Sequence, residues 1–331
     1  MGRRNAAQML HCNEMDHLPI AYWYRNGIVR LFSQGAPMDT ERRLERYRDA
    51  DRWPAEESLA AMLDNQLAAF AAVRQALPAL ARAAGTAAVR LGESGRLIYA
   101  GAGASGRLAV QDGVELLPTF GWPQARLAYV LAGGTAALLH SVEGAEDDAE
   151  AGRAAVAALG PGPADVLVAV AASGSTAFTR GAQAAARAGG ALAIAFANNP
   201  AAPLLAEAEI AVLLDTGPEF LAGSTRMTAG TAQKIALNLL STQLMIELGR
   251  VYQGLMVNVA PANAKLVARS HRIVQAIAGC SLEEAAAAWE RAGRDIRLAV
   301  LLLDGLEPEA ARRRLEAARG DLRRARPVPY R

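Results

Sequence analysis

The sequence predicts an α/β protein: a doubly wound, five-stranded parallel sheet in a three-layer sandwich, with helices before it and a small helical module after it. Three observations predict this. Five short apolar runs recur through the middle of the chain, and each is nearly continuous rather than alternating, as strands buried on both faces must be. Helical stretches lie between them, which gives parallel crossovers. Hydrophobic residues make up 52% of the chain but aromatic ones only 5%, and much of the remainder is alanine, which suits helices packed closely on a sheet.

Residues 1–38 contain Tyr22, Trp23 and Tyr24 with no periodicity and read as a flexible N-terminal extension. Residues 39–86 read as an N-terminal helical segment. Apolar positions from 54 to 91 fall at helical spacing, and Pro78 divides them into two predicted helices. Residues 87–250 form the predicted α/β domain. Its strands are "RLIYA" (96–100), "RLAYVLA" (126–132), "DVLVAVAA" (165–172), "ALAIAFA" (191–197) and "EIAVLLD" (209–215), and a long amphipathic helix follows at 227–249. Residues 251–331 form the helical module. After Cys280 it reads as three short helices, each stopped by glycine: "SLEEAAAAWERAG", "RDIRLAVLLLDG" and "EPEAARRRLEAARG".

Bulk properties narrow the function. A net charge of +2 gives no electrostatic footprint for nucleic acid. No apolar stretch reaches the length of a membrane span, and the N-terminus has no clean apolar core of a signal peptide. Cys12 and Cys280 are too few for a disulfide framework, and the four histidines lack ligand spacing. The expectation is a cytoplasmic protein that needs no metal.

The stretch "YAGAGASGRLA" (99–109) places Gly101, Gly103 and Gly106 in the spacing G-x-G-x-x-G. A dinucleotide site also needs a carboxylate at the tip of the second strand, and that strand ends "VLAGG" without one. Hydroxyls stand at the other tips. The third strand runs into "AASGSTAFT", with Ser173, Gly174 and Thr176, and the fifth into "GPEFLAGSTRMTAGTAQK", with Ser224, Thr225 and Thr228. Together with Gly103 and Ser105, such turns at helix N-termini suit a phosphate dianion. The pattern favours a small phosphorylated ligand over a dinucleotide.

These residues carry a resemblance. From Met38 onward the chain resembles the N-acetylmuramic acid 6-phosphate etherases, bacterial members of the sugar isomerase (SIS) family. It does so most specifically in "GRLIYAGAGASGRLAVQDGVELLPTFG", "AGGTAALLHSVEGAEDD", "GPEFLAGSTRMTAGTAQK" and "VNVAPANAKLVARSHRIV". The glucokinase regulatory protein shares the "GPE…GST" signature. The resemblance implies a SIS-type phosphosugar-binding domain at 87–250 and a lyase that removes D-lactate from C3 of the phosphorylated amino sugar. It implies no cofactor, no metal, and a homodimer with sites near the subunit interface. It sets Glu115 on the family's proton-donor position and Glu146 on the other catalytic position, and leaves open which acts as base. Glu219 becomes a third carboxylate near the site, for sugar hydroxyls or the loop backbone. A non-catalytic phosphosugar sensor and an aldose–ketose isomerase are the alternatives on the same fold.

Three expectations attach to these glutamates. Val114, Leu116 and Leu117 flank Glu115, so a desolvated carboxylate is expected there. Glu143, Asp147, Asp148 and Glu150 surround Glu146 and give it the look of a solvated acidic face. A straight helix would carry Glu115 ~15 Å from the phosphate turn at Ser105. Either the helix ends near Gly113, or this glutamate serves a second subunit. The chain departs from the family pattern at Ala104 (usually Thr), at Ser175 (usually Arg), at Leu44–Glu45 (usually Asn-Pro) and in "GVELLPTFG", where "SECPPTFG" is usual.

Overall fold

The computed structural model describes residues 39–261 and 263–326. The N-terminal arm, residues 1–38, lies outside them. Three single 3-10 turns (Asp39–Glu41, Glu45–Tyr47, Ala50–Arg52) lead into α1 (Ala55–Leu91). The α/β unit follows as β1 (Leu97–Gly101), α2 (Gly103–Val114), α3 (Leu116–Phe120), β2 (Leu127–Leu131), α4 (Ala149–Ala157), β3 (Val166–Val170), α5 (Ala177–Ala188), β4 (Leu192–Ala197), α6 (Pro203–Ala206), β5 (Ile210–Leu213) and α7 (Thr228–Glu247).

All five strands pair in parallel in the order β2-β1-β3-β4-β5. The register is continuous: Ala100 stands beside Val130 on one side and Ala169 on the other. The order reverses between β1 and β3, and such a switch point opens a crevice at the carboxyl ends of those strands.

Strand periodicity divides the core in two. Leu97, Tyr99, Val166, Val168, Ile194 and Phe196 face a layer made by α1, α2 and α7. Ile98, Ala100, Leu167, Ala169, Ala195 and Ala197 face α4, α5 and α6. The second face is mostly alanine, so α5 lies close to the sheet through its own Ala182, Ala185 and Ala186. Helices α4 and α5 touch backbone to backbone. A Cβ on Gly152 would stand 2.1 Å from the Phe178 carbonyl oxygen, and one on Gly181 would stand 1.9 Å from that of Ala149.

Pro78 does not divide the N-terminal segment; α1 is a single helix of 37 residues with the proline inside it. Interior proline costs ~3 kcal/mol. The buried face, however, runs unbroken from Ala69 through Val73, Ala76 and Leu80 to Leu91, and each large side chain buried on it contributes ~1.5–3 kcal/mol. Packing against α7 and the sheet outweighs the break.

The C-terminal module holds the hairpin β6 (Val251–Tyr252) and β7 (Leu255–Met256), then α8 (Ala264–Ala278), α9 (Leu282–Arg291), α10 (Ile296–Leu303), α11 (Pro308–Ala317) and α12 (Leu322–Ala325). The three helices read after Cys280 are α9 to α11, and Gly293, Gly305 and Gly320 follow them at positive φ. Their core surrounds the fully buried Trp289.

Candidate active site at the strand tips

The first turn of α2 is set by two close approaches. A Cβ on Gly101 would stand 2.9 Å from the Gly106 Cα, and one on Gly106 would stand 2.3 Å from Leu131 Cδ1 and 2.8 Å from the Gly101 carbonyl carbon. The glycine spacing therefore lets β1 turn tightly into α2 and lets α2 lie against β1 and β2. Gly103 takes φ +52°. Ala102, the N-cap of α2, makes no side-chain cap, so the N–H groups of the first turn remain available to an anion. Ser105 sits in that turn, largely buried.

The second wall is the turn after β3. Ser173 Oγ accepts from the Ser175 N–H at 3.2 Å and lies 3.4 Å from Thr176 Oγ1, while Gly174 takes φ +68°. Thr176 is the N-cap of α5 and makes no side-chain cap either. Two helix N-termini without side-chain caps thus flank the crevice at the switch point.

Glu146 joins them. Its carbonyl oxygen accepts from the Phe178 N–H at 3.0 Å, in the first turn of α5. Its carboxylate reaches over the glycine turn, where Oε1 would stand 2.6 Å from a Cβ built on Gly103. The side chain is exposed, in keeping with the acidic run around it. Being exposed, it is free to meet a ligand in the crevice.

The loop after β5 reaches the same edge through a polar chain. Asn199 Nδ2 donates to the Ala172 carbonyl oxygen at 3.0 Å and to Thr40 Oγ1 at 3.2 Å. The Gly223 N–H donates to the Thr40 carbonyl oxygen at 2.9 Å. Ser224 and Thr225 therefore stand on a loop braced against the Ser173 turn. A Cβ on Gly223 would stand 2.7 Å from Glu41 Oε2, so a carboxylate of the first 3-10 turn also borders this loop. Sequence reasoning missed Thr40, Glu41 and Asn199. Two adjacent asparagines directly after the apolar run of β4 were the available signal.

The N-terminus of α7 does not match the expected cradle. Glu219 is fully buried and accepts from the Thr228 N–H and the Ala229 N–H, both at 2.8 Å. The helix carries its own anion. Thr228 Oγ1 donates to Asn65 Oδ1 at 2.7 Å and is likewise buried. Thr228 fastens α1 to α7, and an incoming phosphate would find this helix end occupied.

Glu115 lies elsewhere. Helix α2 ends at Val114 as one alternative anticipated, but ending there does not fold the chain back. The twelve residues of α2, Gly103–Val114, still carry the chain about 18 Å along the helix axis before Glu115. Nor is Glu115 desolvated: the chain turns at the junction with α3 so that Leu116 is buried and Glu115 exposed. The buried carboxylate is Asp112, which accepts from Tyr99 Oη at 2.7 Å, Asn238 Nδ2 at 2.7 Å and Ser241 Oγ at 3.0 Å. Burial and the Asp112 carboxylate hold the Tyr99 phenol well above its usual range, and the same two causes push Tyr129 up to about 12. Both phenols stay protonated at neutral pH. Glu115 shares a cleft of about 210 Å³ with Lys234, Gln111, Asp112 and Asn238.

Comparison with known proteins adds the family. Residues 80–186 match the family of the glucokinase regulatory protein N-terminal SIS domain. The chain is 49% identical over 288 residues to an N-acetylmuramic acid 6-phosphate etherase of Deinococcus radiodurans, covering 87% of this chain and 94% of that one. It is 46% identical over 255 residues to the etherase of Pectobacterium atrosepticum, covering 77% and 84%. Among solved structures, a phosphoheptose isomerase from Francisella tularensis superposes with a TM-score of 0.47 at 18% identity, over 59% of this chain and 100% of that one.

Proposed function

We infer the reaction from one premise: the chain belongs to the N-acetylmuramic acid 6-phosphate etherase family. It is a carbon–oxygen lyase that cleaves the D-lactyl ether of N-acetylmuramic acid 6-phosphate to N-acetylglucosamine 6-phosphate and D-lactate, a step in recycling cell-wall amino sugars. An alkoxide is a poor leaving group, so the ether needs activation. In the open-chain sugar the C1 aldehyde acidifies the C2 proton. A base removes that proton, an acid protonates the departing lactate oxygen, and water then adds to the double bond at C3.

The placement of Glu146 supports this chemistry at the crevice. With the 6-phosphate on the first-turn N–H groups of α2 and on those of α5 other than the Phe178 N–H, which Glu146 holds, beside Ser105, Ser173 and Thr176, the reacting carbons lie only a few bonds away. Glu146 borders the same turn at Gly103. Ser224 and Thr225 close the loop side, and Glu219 holds that loop to α7.

Glu115 supplies the second proton-transfer group from a partner subunit, because ~18 Å of α2 keeps it from the cradle of its own chain. Lys234 shares its cleft and offers a positive charge to the carboxylate that the lactyl group carries. An exposed apolar stripe along α1, Leu59, Leu63, Leu67 and Phe70 at spacings of four, four and three, supports pairing of two copies. Among the described residues no helix is long and apolar enough to cross a membrane. We place the reaction in the cytoplasm, with the phosphorylated sugar.

The experiment is direct. Purified protein incubated with N-acetylmuramic acid 6-phosphate in H₂¹⁸O should release D-lactate and place ¹⁸O at C3 of the sugar. Binding without lactate release would return the phosphosugar sensor, and a ketose product would return the isomerase.

A further inference from the structure

At the opposite end of the sheet lies a larger cleft, about 860 Å³, between the C-terminal ends of α1 and α7 and the helical module. Gly92 and Glu93 line it just before β1, and Arg126 just before β2. It is therefore at the amino ends of the strands, a strand length (~17 Å) from the cradle.

Four arginines line this cleft, Arg126, Arg250, Arg319 and Arg324, against three carboxylates. Two of those carboxylates are already engaged, and the third, Glu93, acts on Arg126 through its charge without an ion pair. Asp321 caps α12 and pairs with Arg324, and Glu247 accepts from Gln243 Nε2 at 2.8 Å. Arg126 and Arg250 lie over Trp122, 4.3 and 5.1 Å from its ring. Neither forms an ion pair among the described residues. Arg126 spends Nε and Nη2 on the carbonyl oxygens of Gly95, Leu91 and Gly92, and Arg250 spends Nη1 on those of Phe120 and Gly121. Nη1 of Arg126, and Nε and Nη2 of Arg250, keep unused donors among the described residues. Burial, together with the positive charges of Arg297 and Arg126, pulls Arg250 down to about 10. Such crowding is relieved by an anion. Arg319 adds a backbone signal: it takes φ +54°, where glycine is the usual residue, and still lines the cleft.

We propose that this cleft is a second, non-catalytic binding site for a small phosphate monoester of sugar-phosphate size. The guanidinium donors that the backbone leaves unused meet its phosphate oxygens. The volume exceeds what inorganic phosphate needs and suits a phosphorylated sugar. Because the lining comes from α1, α7 and the module, a bound ligand fastens the module to the sheet.

The test titrates the full chain by calorimetry with inorganic phosphate and with N-acetylglucosamine 6-phosphate, at constant ionic strength set by chloride. Wild type should bind the sugar phosphate at two sites per chain. R319G/R324A should lose one site and keep the other; its glycine also relieves the left-handed backbone at 319. S173A should weaken the site that R319G/R324A keeps. Inorganic phosphate should occupy the cleft at least tenfold more weakly than the sugar phosphate. A single site in wild type that R319G/R324A leaves intact, or a second site unaffected by R319G/R324A, would overturn the proposal. So would tighter binding of inorganic phosphate. The count of sites is read without turnover, so it stands apart from the etherase reading.

Discussion

Replacing Gly103 by alanine tests the arrangement on which the proposed chemistry depends. The backbone there has φ +52°, and holding an L-residue in that region costs about 1–2 kcal/mol. The new Cβ would stand 2.6 Å from Glu146 Oε1. To restore ordinary contact the carboxylate must retreat by roughly 1 Å, and a misplacement of that size at a reacting group costs ~10²-fold in rate. The main chain of Glu146 cannot follow easily, since its carbonyl oxygen is held by the Phe178 N–H at 3.0 Å. The variant should remain folded, less stable by about 1–2 kcal/mol in urea denaturation. Its lactate release should fall ~10²-fold in kcat.

Gly106→Ala is the contrasting variant. Its Cβ would meet backbone, the Gly101 carbonyl carbon at 2.8 Å, besides Leu131 Cδ1 at 2.3 Å. It should lose stability while each folded molecule keeps most of its turnover. A Gly103→Ala variant that turns over within a few-fold of wild type, or whose loss of activity only tracks its unfolded fraction, would break the link between the glycine turn and Glu146.

Ser173→Ala should weaken binding of the phosphorylated sugar by ~1–2 kcal/mol in calorimetry and leave the unphosphorylated sugar unchanged; equal losses would make Ser173 only a turn residue. Glu115→Gln and Glu146→Gln should each lower kcat by ~10²–10⁴. If the site is shared between subunits, mixing and re-associating the two inactive variants should restore activity, because one site of each hybrid dimer then has both glutamates; a mixture as inactive as its components would put both in one chain. Asp165 gives a pH effect. Burial alone would raise its pKa, but bonds from the Arg96 side chain, the Arg96 N–H and the Gly162 N–H outweigh burial and lower it. The folded state thus favours the carboxylate, so this stability is present above the unfolded pKa and is lost as pH falls through the lower, folded one. Asp165→Asn should cost ~1–3 kcal/mol at pH 7 and flatten the acid limb of the stability curve; an unchanged acid limb would reject the assignment.

Much of this was legible because strands buried on both faces leave a plain mark. The apolar runs 96–100 and 165–172 became β1 and β3, and the glycines after the first could be read as a turn needing close approach. What the sequence hid was decided by partners far along the chain. Pro78 signals a break, yet the helix continues because Leu80 and Leu91 are buried on the same face as Val73. Helix α8 was not read at all, although Asn263 caps it and Val267, Val274 and Ile277 follow at helical spacing. At the site, Glu219 and Glu115 look alike as single carboxylates in apolar surroundings. One is fully buried and bonded to two backbone N–H groups nine and ten residues away, and the other stands in solvent at the junction of α2 and α3. Burial of a carboxylate follows the donors that reach it rather than its neighbours in sequence, and Asp112 shows the same rule with three donors from β1 and α7. The end of α2 was open in the sequence, which allowed a stop near Gly113. The helix runs on to Val114, and its rise sets Glu115 about 18 Å along the axis from the glycine turn, which is why we propose that a second copy of the chain brings the two glutamates together.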